Sequence, residues 1–151
     1  MIELYKKLTS SKVYRKWKSS NKGSFLSSFV MIDNIPQFDF YNQNDTITSF
    51  IIGKKIEVKE NQEIFNKTEL NPIEVKGIKL SRSSAMKVIK SKYPAEKFTR
   101  TILILQNQDK PLWNITMISS SLKLLNIKID MSKNIISEAF EPLASFMKMV
   151  K

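Results

Sequence analysis

Two stretches of alternating apolar and polar residues limit what this chain can become. They are Ile56-Glu57-Val58-Lys59-Glu60-Asn61-Gln62-Glu63-Ile64 and Ile127-Lys128-Ile129-Asp130-Met131-Ser132-Lys133-Asn134-Ile135. Each opens as a half-buried strand, because alternate residues of an extended chain face opposite sides. Each then runs into a polar turn and resumes at an isoleucine. Read as one unit written twice, they predict an internal duplication at an offset of about 71–75 residues.

The rest of the chain can be laid on that frame. Residues 2–19 read as helix in two pieces. Leu4 and Leu8 share a face, Ser10 or Ser11 caps a second turn, and Val13, Tyr14 and Trp17 fall at helical spacing. Asn21-Lys22-Gly23 ends it. Strands are expected over Phe25 to Ile32, around Phe38 and Phe40, and over Thr46 to Ile52, separated by Asn34-Ile35-Pro36 and Asn42-Gln43-Asn44-Asp45. From Glu60 to Gly77 the pattern weakens, and Asn71-Pro72 marks a linker.

A second helix opens with Leu80 and an N-cap at Ser81. It carries Ala85, Met86, Ile89 and Tyr93 on one face and stops at Pro94. Phe98 to Gln106 includes Thr101-Ile102-Leu103-Ile104-Leu105. Apolar on both sides, it predicts a central strand covered on both faces. Trp113, Ile115 and Met117 then alternate with Asn114 and Thr116, and Leu125, Ile127 and Ile129 with Asn126 and Lys128. Ile135-Ile136 closes the last strand. Residues 138–150 read as a C-terminal amphipathic helix: Phe140, Leu143, Met147 and Val150 share a face, with Glu138 and Glu141 near its start and Lys148 near its end.

The expected fold is therefore α+β, with two similar α-β-β-β halves, antiparallel sheets and a C-terminal helix. The halves are residues 1–78 and 79–151, packed as one compact unit. In the alignment Pro36 faces Pro111, Phe38 faces Trp113, Phe40 faces Ile115, and the Ile56 unit faces the Ile127 unit. A single such half is thin, and two can share one core.

The second half resembles the PepSY-like domain. The residues that carry the resemblance are the helix from Ser81 to Pro94, Ile102 to Leu105, Trp113-Asn114-Ile115-Thr116-Met117, and Ile127-Lys128-Ile129-Asp130 with Ile135-Ile136 beyond. They span residues 80 to 138. The turn after Asp130 differs from the family pattern, with Ser132-Lys133-Asn134 where a glycine is usual. The resemblance implies a small non-catalytic α+β module that binds or restrains a protein or peptide partner.

Composition removes several chemistries. The chain has no histidine and no cysteine, which excludes Ser-His-Asp and Cys-His nucleophile systems, ordinary zinc sites and disulfides. Its three glycines, Gly23, Gly53 and Gly77, form no phosphate-cradling loop. No catalytic residue, metal or cofactor is expected; the remaining carboxylate pairs, Glu57 with Glu63 and Asp130 with Glu138, read first as solvated strand and turn residues, with acid–base work by an enzyme as the alternative. Lys6 and Lys7 are followed by no apolar segment, and no run approaches the ~20 apolar residues of a membrane span. A soluble, cytoplasmic protein is expected.

The formal net charge is +11. The excess sits in two segments: seven basic residues against Glu3 in residues 1–22, and seven against Glu96 in residues 79–100. If both helices lie on one side of a sheet, Lys12, Arg15, Lys16 and Lys18 with Lys87, Lys90 and Lys92 make an anionic-partner face, and nucleic acid becomes an alternative partner. Tyr14 and Trp17 would then stack on bases; otherwise they are the apolar stripe that a helix on a sheet requires. Only three of the 25 basic residues are arginine, Arg15, Arg82 and Arg100, a bias that a lysine-rich genome also produces. A candidate groove is lined by Trp113, Asn114 and Thr116. Phe38, Phe40 and Tyr41 with Trp113 read as core, with the lining of a pocket as the alternative. The sequence does not disclose the oligomeric state.

Overall fold

The computed structural model describes residues 1–64 and 70–145. Two short helices, α1 (Ile2–Thr9) and α2 (Lys12–Ser19), lead into four strands: β1 (Phe25–Ile32), β2 (Ile35–Tyr41), β3 (Ile47–Ile52) and β4 (Ile56–Gln62). A 3-10 turn at Val75–Gly77 precedes α3 (Arg82–Lys92). Four more strands follow: β5 (Phe98–Gln108), β6 (Lys110–Ser119), β7 (Lys123–Asp130) and β8 (Ile135–Pro142). All eight form one antiparallel sheet in the order β4-β3-β2-β1-β5-β6-β7-β8. The fold is thus mixed α and β, dominated by its sheet. The boundary near residue 78 lies between β4 and α3, and the sheet continues across it where Ser28–Ile32 of β1 pair with Gln106–Ile102 of β5.

Local chemistry explains the boundaries. The Ser11 side chain accepts from the Tyr14 amide at 3.2 Å and Ser81 from the Ser84 amide at 3.2 Å, so both helices begin on the hydroxyl caps expected for them. Asp33 and Asn34, at φ 48° and 70°, form a two-residue left-handed hairpin tip between β1 and β2. Such a turn suits residues whose short polar side chains tolerate this region, and it matches the twist of the strands it joins.

The core lies on one face of the sheet. Phe29, Phe38, Phe40, Phe50, Leu105, Trp113, Ile115, Leu125, Ile127 and Ile129 are buried there beneath Leu8, Tyr14, Trp17, Ala85 and Ile89 of the helices. The rings interlock, with Trp17 to Phe50 at 5.1 Å and Phe29 to Phe38 at 4.8 Å between centroids. Each large apolar side chain so buried contributes about 1.5–3 kcal/mol relative to leaving it exposed. The linker is tied to the sheet at the β1–β5 junction. The Ile73 amide donates to the Leu26 carbonyl at 2.9 Å, Asn71 Nδ2 to the Asn107 carbonyl at 3.3 Å, and Asn107 Nδ2 to the Pro72 carbonyl at 3.0 Å.

Three expectations are corrected. First, β5 is central in the sheet but the described helices cover only one of its faces; on the other, Ile102 is 39% exposed. Second, Ile135–Pro142 is a strand, not the start of a C-terminal helix. The turn after Asp130 folds the chain back beside β7, where pairing from Ile129↔Ile135 to Lys123↔Pro142 satisfies both backbones. Helix begins only at residues 143–145, and the rest of the expected helix falls outside the described residues. Third, the Ile56 and Ile127 units occupy different places: Ile56 opens β4 at the sheet edge, whereas Ile127 lies in β7, one strand inside the other edge. In strand order β4 corresponds to β8 and β7 to β3. Pro36 and Pro111 do take like places, each the second residue of its strand, and Phe38 and Trp113 are both fully buried.

Candidate functional site

The second face of the sheet has no layer over it among the described helices. Its residues are those out of phase with the core. Cross-strand pairing places Gln37, Val30, Ile104, Asn114 and Lys128 in one row, and Ile32, Ile102, Thr116 and Asn126 in the next. Polar members are tied to one another. Asp39 accepts from Ser49 Oγ at 2.6 Å, Gln37 Nε2 at 2.8 Å and Ser28 Oγ at 3.2 Å. Asn126 Nδ2 donates to Asn114 Oδ1 at 2.9 Å and to Thr116 Oγ1 at 3.0 Å. At one end of β1 the character changes. Ile32 pairs with Ile35 across the hairpin and with Ile102 across the seam, and the three are 43%, 55% and 39% exposed. Among the described residues, these three neighbouring isoleucines form an exposed apolar patch.

The same hairpin tip borders a cleft of about 620 Å³ between α3 and the start of β5. Its walls carry Arg82, Lys87 and Lys90 from α3 and Arg100 from β5. Met86, Phe98 and Leu103 form the apolar part. The tip organises both arginines. Arg100 Nη2 meets Asp33 Oδ2 at 2.8 Å, and Arg82 Nη1 donates to Asn34 Oδ1 at 3.3 Å beside the Met31 sulfur. Arg82, Lys87 and Lys90 have no carboxylate partner among the described residues. Along the cleft β1 ends at the pair Ile32↔Ile102, the Asp33 amide donates to the Thr101 carbonyl at 3.1 Å, and Thr99 falls at the register shift between Phe98 and Arg100.

The residues singled out in the sequence are distributed as follows. α1 and α2 stack on β2 and β3, and α3 on the β5–β8 half, all on one face. Lys12, Arg15, Lys16, Lys87 and Lys90 are exposed. Lys18 is not a free cation of that face: it donates to the Ser24 carbonyl at 2.6 Å, and burial lowers its pKa. Lys92 is 2.5 Å from Glu138 Oε1. Tyr14 and Trp17 are buried, so they offer no stacking surface; burial, with Tyr5 beside it, pushes the Tyr14 hydroxyl up to about 12.

The groove of Trp113, Asn114 and Thr116 does not exist as one site. Trp113 is 0% exposed on the core face, its Nε1 donating to the Leu80 carbonyl at 2.9 Å, while Asn114 and Thr116 lie on the open face. Phe38 and Phe40 are core too, whereas Tyr41 faces outward and donates to Asp45 at 2.6 Å.

The carboxylates do separate jobs. Asp130 closes the β7–β8 turn, accepting from the Asn134 and Ser132 amides at 2.9 Å each and from Lys110 at 3.2 Å. Chiefly the Asn134 amide holds its pKa below the usual carboxylate value. Glu138 turns to α3, where Lys92 and then the Tyr93 hydroxyl hold it low. Burial first, then this bond, pushes Tyr93 up to about 12. Among the described residues no group of three metal-binding side chains converges, and no helix is long and apolar enough to cross a membrane.

Compared with known proteins, the chain matches no family model, no curated protein and no solved structure.

Sequence reasoning missed the cleft. Arg82 and Arg100 come from a helix and a strand and are linked through the Asp33–Asn34 tip, which bonds both. The usable signal was the scarcity of arginine: two of the three in the chain line this one cleft.

Proposed function

We propose that this protein is a non-catalytic binding module whose partner is a protein or peptide held on the open sheet face and the adjoining hairpin tip. The observation that carries the reading is the exposed contact of Ile32, Ile35 and Ile102. Contiguous apolar surface rimmed by polar residues is characteristic of protein-interaction sites. The polar rows beside it are bonded among themselves, which leaves the isoleucines as the anchors. The PepSY-like resemblance of residues 80–138 supports the same class of function by analogy of fold. Two four-stranded meanders, each led by helix and joined at β1–β5, support reading residues 1–78 and 79–151 as related halves. Chemistry that needs no cysteine suits the cytoplasm as the place of action.

A photo-crosslinking residue in place of Ile35 tests the reading in lysate of the source cells. A discrete adduct is expected, absent when the same residue replaces Lys6 on α1 and removed by Ile32→Asp/Ile102→Asp in a protein that keeps its far-UV spectrum. No adduct, or one that survives the aspartates, sinks the proposal.

A second reading, nucleic-acid binding, draws on one observation: all three helices lie on one face and present Lys12, Arg15, Lys16, Lys87 and Lys90 to solvent. It is weakened by the loss of Lys18 and Lys92 to internal partners and by the burial of Tyr14 and Trp17.

A further inference from the structure

We propose that the partner segment is an acidic peptide that lies in the cleft between α3 and β5, against Arg82, Lys87, Lys90 and Arg100. The inference rests on the protein-binding reading above and supplies its partner's chemistry.

Charge comes first. Four cations face one carboxylate, Asp33, and that carboxylate is engaged by Arg100. Arg82 is held by neutral acceptors only, so its guanidinium is oriented without being neutralised. A guanidinium presents a planar fork that matches a carboxylate in two parallel bonds, which an ammonium does not. In a chain with three arginines among 25 basic residues, arginine at both of these positions fits that recognition.

Met86, Phe98 and Leu103 line the cleft beside Arg82, Lys87, Lys90 and Arg100, so the matching peptide carries apolar as well as acidic side chains. Phe98 is the one ring in the cleft lining, which gives successive nucleotide bases no stacking series. That favours a polypeptide over a nucleic-acid strand.

The probe is a fluorescein-labelled peptide of about ten residues combining glutamate and valine, long enough to span the cleft. Its anisotropy is followed with the full chain at low salt. A lysine–valine peptide and an oligo-deoxythymidylate serve as comparisons. Binding of the glutamate peptide alone is expected, with loss of at least about tenfold in affinity in Arg82→Gln/Arg100→Gln. Because Arg100 also holds the hairpin tip, Lys87→Glu/Lys90→Glu is the second variant; both side chains are exposed, and the same loss is expected. The inference is overturned if the glutamate peptide does not bind at low salt. It is equally overturned if the peptide binds both variants as tightly as the parent, or if the oligonucleotide displaces it, which would assign the cleft to nucleic acid. Failure here with the Ile35 adduct intact removes the acidic peptide and leaves the binding module; loss of the adduct removes both.

Discussion

Replacing Trp113 by phenylalanine separates the two roles this residue was open to. In a groove the change would alter binding and leave stability nearly untouched. In the structure Trp113 is wholly buried, and its indole nitrogen satisfies the Leu80 carbonyl at 2.9 Å, just before the Ser81 cap of α3. Phenylalanine removes that donor and strands a buried carbonyl, which costs about 1–3 kcal/mol. It also vacates the space of the five-membered ring. At about 24 cal/mol per Å³ of residual void, a space of roughly 40 Å³ adds about 1 kcal/mol. The sum is about 2–4 kcal/mol, a large share of the 5–15 kcal/mol that holds a typical domain folded. Urea denaturation followed by far-UV circular dichroism measures it, since fluorescence would confuse Trp113 with Trp17. A loss below about 1 kcal/mol at unchanged m-value would show that neither the hydrogen bond nor the packing exists as described.

Two further outcomes are expected. Residues 135–142 form an edge strand, so hydrogen exchange across them should alternate between slow and fast amides; uninterrupted protection would restore the helix that the sequence suggested. Asp130 and Glu138 are both held below their ordinary pKa, so their contribution to stability is present above the unfolded carboxylate values and is lost as pH falls through the depressed folded ones. Urea midpoints should therefore drop between about pH 5 and about pH 3, less steeply in Asp130→Asn; the same slope in that variant would rule out the turn carboxylate as a source of the acid sensitivity.

Much of the local structure was legible because its determinants are local. Ser11 and Ser81 announce helix starts through a hydroxyl that meets an amide three residues on, and Pro94 announces a stop. Alternation around Phe38, Ile115 and Ile127 identified strands and their buried face. What failed depended on neighbours distant in sequence. Phe140 fits a helical stripe as well as a strand; only β7 beside it decides, and there it packs on Tyr93 at 4.9 Å. Thr101 to Leu105 is apolar throughout, which says that both faces are greasy but not whether anything covers them. The basic helices were located correctly as exposed, yet charge counting could not foresee that Lys18 would cap a carbonyl and Lys92 would meet Glu138. The arginine cleft was illegible for the same reason, since a turn residue from the first meander sets the side chains of the second.

The seam between β1 and β5 has a consequence for how the chain folds. Every other ladder in the sheet joins strands adjacent in sequence, so each can close over a short turn. The seam joins Ile32 to Ile102, about 70 residues apart, and its closure bears the largest loop entropy in the molecule. Each meander can thus assemble from its own hairpins before the two meet, and the zipping of Ser28–Ile32 onto Ile102–Gln106 sets the pace of the whole. Until it zips, the facing margins of β1 and β5 are bare backbone edges, and at high concentration the same ladder can also close between two chains.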